Sequence, residues 1–375
     1  MICVFGRLTN LSAGDECQRY LEYLQRTLVR EGSEEFLQGQ KQWFEKNREA
    51  IAQEYSTKLK GSGLATSVMT YSAQGEYDDF FSRQIFEPLL AKVLAIASNM
   101  GVSPERPVRF ANSPDVAPSA AALPSTSEHV LFAGLGTSAF CNYWAKVFSA
   151  AIAEVSTLSK KKRQSTPELI KKLRAGPVIM DAARLAGRYA LSESLVGYGK
   201  LEQRTELLPV RVLLLNAMEV FVVAHEVAHF VAHEEFADTA GIRPGSTSKQ
   251  HEMECDAFAL AVCTEYGVRE KNAFAFQLIG PLLFFYALRM SERAITVLSG
   301  KDRSPSESHP TNEERFRFAL DFLKSAGASA HILKSVTFAL DLAMIIGSHV
   351  HLIMEEIKSR DKDEPVPAND GEREA

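Results

Sequence analysis

The stretch Val222-Val223-Ala224-His225-Glu226-Val227-Ala228-His229-Phe230 decides how the rest of the chain is read. It sets a His-Glu-x-x-His pattern inside an apolar run without Pro or Gly from Val212 to Val231, and this periodicity predicts a helix. Residues four apart share a helix face, so His225 and His229 can turn two imidazoles toward one ion with Glu226 beside them. Leu213, Leu214, Leu215, Val220, Phe221, Val222, Val223, Val227, Phe230 and Val231 would bury the helix almost all round, and buried imidazoles and a carboxylate need partners. A metal ion meets that need. The plainer reading is a core helix whose two His bond to neighbouring carbonyls.

A tetrahedral zinc held by two His needs a third protein ligand and a water. Downstream, Gln250-His251-Glu252-Met253-Glu254-Cys255-Asp256 is followed by the apolar Ala257, Leu260 and Ala261. Glu252 and Asp256 are four apart and share a helical face, so Glu252 is assigned as the third ligand and Asp256 as the carboxylate that holds a ligating imidazole. Other candidates fit less well. His233, one turn past His229, would crowd the same side of the ion; His251 should face away from Glu252 as an outer partner or surface residue; His349 and His351 lie on different faces of one helix; Cys255 and Cys263 read as small core residues.

A third block, Ser308-His309-Pro310-Thr311-Asn312-Glu313-Glu314-Arg315-Phe316, completes a specific pattern. The three blocks in this order resemble the gluzincin metallopeptidases of the HtpX and prenyl-protein endopeptidase type, which usually carry Ala where this chain has Cys255. In layout the chain is similar to the soluble phage-exclusion proteases of the Lit type, with an apolar strand-helix block well before the metal motif. The resemblance spans about Val130 to Leu320. It implies a zincin-like core with one Zn2+ per chain, a His309 that faces the metal site and donates to a developing oxyanion, and an Arg315 that fixes the loop. His-Pro makes a stiff turn and Arg can bind a carboxylate through two hydrogen bonds; the alternative is a surface turn before a helix starting near Asn312.

The 375 residues, 46% hydrophobic and 24% charged, suit a globular protein, and a net charge of -5 argues against a general nucleic-acid binder. The basic block Lys160-Lys161-Lys162-Arg163 reads as a solvated helix end. Five scattered cysteines (Cys3, Cys17, Cys141, Cys255, Cys263) suit a reducing compartment, and Met1 to Leu11 lacks the pattern of a signal peptide, so the expected location is the cytoplasm. Two apolar segments, Ala273 to Met290 and Val336 to Met354, are interrupted by Gln277 and Pro281 and by Asp341, His349 and His351; both are expected as buried helices, with no membrane span.

The fold class expected is mainly α with a small sheet (α+β), a zincin-like catalytic core with a helical N-terminal extension. Residues 1–100 form the N-terminal helical region, with a short strand at Met1 to Thr9, two amphipathic helices broken near Gly32-Ser33, a strand at Ala65 to Tyr71 and a helix over Phe80 to Ser98. Residues 101–128, rich in Pro, Ala and Ser, read as a loop interrupted by the strand-like Val108-Arg109-Phe110. Residues 129–358 form the metallopeptidase domain, opening with a strand from His129 that belongs to a substrate-pairing sheet, and 359–375 a disordered acidic tail. The function expected is a zinc endopeptidase acting on a protein or peptide substrate, with Glu226 as general base. Two alternatives stay open: a metal-containing binding or sensor protein with an inert centre, whose N-terminal helices engage a partner, and a zinc hydrolase of a non-peptide bond.

Overall fold

Helices account for most of the chain, and one of them sits at its centre. The computed structural model describes residues 15–363 except 31–32, 59–60, 62, 74, 124–127, 200, 202–204, 240–248 and 301–308. The charged amphipathic segments near the N-terminus form α1 (Asp15–Leu28) and α2 (Ser33–Lys58), followed by α3 (Leu64–Thr70) and α4 (Phe80–Asn99). The expected strand at 65–71 is therefore a helix. It starts after Gly63, whose φ of 75° is the left-handed conformation that glycine tolerates, and it drives Val68 into a cluster with Phe44, Ile51 and Phe80. That tertiary burial outweighs the weak β preference of its Thr and Val residues.

The segment read as a loop over 101–128 supplies two of the three strands. β1 (Val108–Asn112), β2 (Ala121–Leu123) and β3 (His129–Ala133) form a sheet in the order β1-β3-β2, with β1 parallel and β2 antiparallel to β3. The His129 strand thus joins the sheet as its central strand, and β2 is one of its edges. Leu21 of α1 packs with Ala111, Val130 and Phe132 of the sheet, and the Gln25 side-chain amide donates to the Asn112 carbonyl at 2.8 Å. Leu21 of α1 is thereby buried within this chain.

Among the described residues the α-helices that follow are α5 (Leu135–Ser156), α6 (Thr166–Ala175), α7 (Val178–Ser192), α8 (Leu208–Thr239), α9 (Lys249–Arg269), α10 (Ala273–Phe276), α11 (Ile279–Ser299), α12 (Asn312–Ser325) and α13 (Ala330–Asp363). α8 carries the His-Glu-x-x-His pattern and packs against α4, α5, α9, α11 and the sheet. Its residues Leu214, Ala217, Met218 and the run from Val220 to Ala224 are all buried, as that many-sided packing requires. At one crossing α11 brings Gly280 onto Ala217; a Cβ there would lie 2.4 Å from the Ala217 Cβ, so only glycine permits the approach.

Two helical stretches, 205–231 and 330–360, are long and apolar enough by length and composition to cross a membrane; 50% and 44% of their respective apolar windows are buried inside the fold. The expected strand at Met1 to Thr9 and the tail beyond Asp363 lie outside the described residues, while α13 carries helix into the start of that tail.

Candidate metal centre

Three elements converge on one buried point. α8 presents His225, Glu226 and His229; the first turns of α9 present His251, Glu252, Cys255 and Asp256; and the start of α12 presents Arg315, with His309 just ahead of it. The α12 start is fixed locally. Thr311 and Glu314 form a reciprocal capping box, the Thr311 hydroxyl accepting from the Glu314 N–H and the Glu314 carboxylate from the Thr311 N–H. This places Arg315 one residue past the box, in the helix's first turn.

His225, His229 and Glu252 each offer one ligand atom within 4.8 Å of the others. His225 Nε2 stands 3.4 Å from Glu252 Oε2, and His229 Nε2 stands 3.8 Å from Glu252 Oε1. Tetrahedral zinc with bonds of about 2.0–2.1 Å separates its nitrogen and oxygen ligands by about 3.3 Å, so the donor set fits an ion with little movement. His225 and Glu252 are buried and the His229 side chain is 20% exposed, which leaves a solvent side for a fourth ligand. The two imidazole planes stand at 88°.

The groups behind the donors are also in place. Asp256 Oδ1 lies 2.9 Å from His225 Nδ1, and the Asp256 carboxylate accepts from Arg315 Nε at 2.7 Å and from the adjoining Arg315 amine. Arg315 also lies 3.2 Å from His225 Nδ1 and 4.8 Å above the Phe285 ring. Burial would raise the Asp256 pKa, but the Arg315 guanidinium outweighs it and holds the carboxyl near about 2. An ionised Asp256 holds a proton on His225 Nδ1 and leaves Nε2 facing Glu252. Burial would lower the pKa of His225, yet its bonds to Asp256 and Glu252 raise it to about 9; burial would raise that of Glu252, yet the surrounding imidazoles bring it down to about 2.

Glu226 is buried, and burial pushes its carboxyl up to about 7. The backbone of Ala122 lies close enough to this carboxylate to oppose that rise, so the edge strand β2 runs beside Glu226. His309 Nε2 is 3.3 Å from Glu252 Oε1 and faces the same point from the opposite element.

All seven site residues singled out in the sequence are thus assembled here: His225, Glu226, His229, Glu252, Asp256, His309 and Arg315. Two neighbours, one read as an outer partner or surface residue and the other as core, meet at the far nitrogen of His229: His251 is buried with Nε2 3.2 Å from His229 Nδ1, and the buried Cys255 has its sulfur 3.5 Å from the same nitrogen. Their signal was present in the sequence, since they are four apart just as Glu252 and Asp256 are. The His233 side chain lies outside the described residues; His349 Nδ1 lies 2.9 Å from the Ile345 carbonyl of its own helix.

The family model described as Peptidase U49 matches residues 142–335, a span that contains every donor of this centre. No curated protein and no solved structure matches the chain.

Proposed function

Because the chain belongs to the peptidase U49 family, whose match covers slightly more than half of it, we propose that this peptidase is a zinc-dependent endopeptidase with Glu226 as its general base. Family membership sets aside the reading of an inert binding protein. The observation that carries the zinc assignment is the spacing of His225 Nε2, His229 Nε2 and the Glu252 carboxylate, which suits a tetrahedral ion with one open position. When bound there, zinc lowers the pKa of water and polarises the scissile carbonyl.

The chain's own residues supply the rest. Glu226 sits beside the donors in a water-poor pocket, placed to take a proton from the attacking water and to return it to the leaving amine. His309 donates an N–H toward the oxygen on which negative charge develops. Arg315 acts through Asp256, which keeps His225 in its ligating tautomer. The edge strand β2 supports an extended substrate backbone by adding it as a further strand, with Ala122 at the level of Glu226. This arrangement suits a protein substrate presented in extended form, in a chain we assign to the cytoplasm.

The test compares wild type with Glu226→Gln. Both should carry the same zinc content, while only the wild type creates new N-termini in a proteome-derived peptide library. Equal cleavage by the variant would remove Glu226 from the role of base.

A further inference from the structure

The second nitrogen of His229 faces a different set of donors. His229 Nδ1 lies 3.2 Å from His251 Nε2 and 3.5 Å from Cys255 Sγ, and Cys255 Sγ lies 3.8 Å from His251 Nε2. In a tetrahedral zinc site with Zn–N of about 2.0–2.1 Å and Zn–S of about 2.3 Å, ligand nitrogens stand about 3.3 Å apart and nitrogen and sulfur about 3.5 Å apart. The three atoms therefore already stand at ligand spacing, on residues that are buried or nearly so. The same i, i+4 ladder that pairs Glu252 with Asp256 on α9 pairs His251 with Cys255, one residue round the helix.

We propose that His229, His251 and Cys255 form a second position for a soft divalent cation, filled when zinc or cadmium is in excess, and that it regulates the first by taking the imidazole they share. The reasoning rests on the zinc reading given above. A neutral imidazole has one lone pair. With no second ion, His229 carries its proton on Nδ1, donates it to His251 Nε2 and offers Nε2 to the first ion. An ion at the second position takes Nδ1 as ligand, the imidazole proton moves to Nε2, and the Cys255 thiol releases its proton to solvent. His229 is then lost to the first position, which retains His225 and Glu252. The Cys255 sulfur among the donors favours thiophilic metals at this position.

The experiment is a cadmium titration of the zinc-loaded full chain, followed by thiolate-to-cadmium charge-transfer absorption and by counting both metals after dialysis. Cys3 and Cys17 are replaced by Ser throughout, so that Cys255 is the thiolate under test; Cys141 and Cys263 are buried in the core. The expected result is an absorption band that grows with cadmium beyond the first equivalent of metal, disappears in Cys255→Ala and weakens at least about tenfold in apparent affinity in His251→Gln. Circular dichroism shows that the variants are folded. A chain that keeps its first ion yet never develops the band, or a band that survives Cys255→Ala, overturns the inference and leaves the proposed function standing. Failure of the first ion to bind, or its indifference to Glu252→Ala, overturns the zinc reading itself.

Discussion

Replacing Asp256 by Asn separates the two roles that the structure gives this carboxylate. Its side chain is fully buried, binds Arg315 through both oxygens and stands 2.9 Å from His225 Nδ1. Asn keeps the shape and one acceptor, but its amide donors face the N–H groups of Arg315 and of His225. Loss of the partner that orients a ligating imidazole costs about 10–100-fold in metal affinity, or about 1.4–2.7 kcal/mol. Separately, the Arg315 guanidinium, only 18% exposed, loses its countercharge. Removing one partner of a buried pair costs about 3–5 kcal/mol, and the retained acceptor of Asn places the expected loss at the lower end, about 3 kcal/mol. Zinc affinity is measured by competition with a chelator, and stability by urea unfolding of the metal-free protein, so that the two effects are read independently. Adding Arg315→Met should recover part of the stability but none of the metal affinity, with a coupling of at least about 1 kcal/mol. Zinc binding within about twofold of wild type, together with a stability change below about 0.5 kcal/mol, would refute the reasoning.

Two other perturbations test the frame around the site. Glu219 on α8 is fully buried, its Oε1 has no hydrogen-bond partner among the described residues, and burial pushes its carboxyl from 4.5 up to about 8. The folded state therefore holds this proton after the unfolded chain has released it, so stability should fall as pH rises from about 4.5 to about 8, by up to about 1.4 kcal/mol per pH unit. Glu219→Gln should reduce that slope in urea unfolding followed across this range, leaving the part that the raised carboxyl of Glu226 contributes up to about pH 7; an unchanged slope would show that Glu219 is not a source of it. Gly280→Ala places a Cβ 2.4 Å from that of Ala217 and 2.8 Å from its carbonyl carbon. The variant should lose about 1–3 kcal/mol in thermal or urea unfolding, and an unaffected protein would show that α8 and α11 do not cross this closely.

The parts of the fold carried by long periodic segments were legible in the sequence. The α8 motif, the Glu252 and Asp256 pair and the helix start near Asn312 are each set by local spacing, and local spacing is what a sequence records. β2 was not legible because Ala121-Ala122-Leu123 is too short to show a period and is held as a strand by pairing with Val130, Leu131 and Phe132. α3 was misread because its β-branched residues speak locally for a strand, while its conformation is decided by Val68 reaching an aromatic cluster built from distant Phe44 and Phe80. That His251, read as an outer partner or surface residue, lies against His229 in particular was not legible for a different reason. Which side of α9 meets α8 is a matter of helix packing, and the turn of α9 that brings Glu252 to His225 also brings His251 to His229.

The central claim is that the first ion is held by His225, His229 and Glu252, and X-ray absorption at the zinc edge on protein loaded with stoichiometric zinc tests it most directly. The expected spectrum has nitrogen and oxygen neighbours alone at about 2.0–2.2 Å, with multiple scattering from two imidazoles, and it changes in Glu252→Ala. A sulfur neighbour at about 2.3 Å in that stoichiometric sample would place the ion on Cys255 instead and contradict the account.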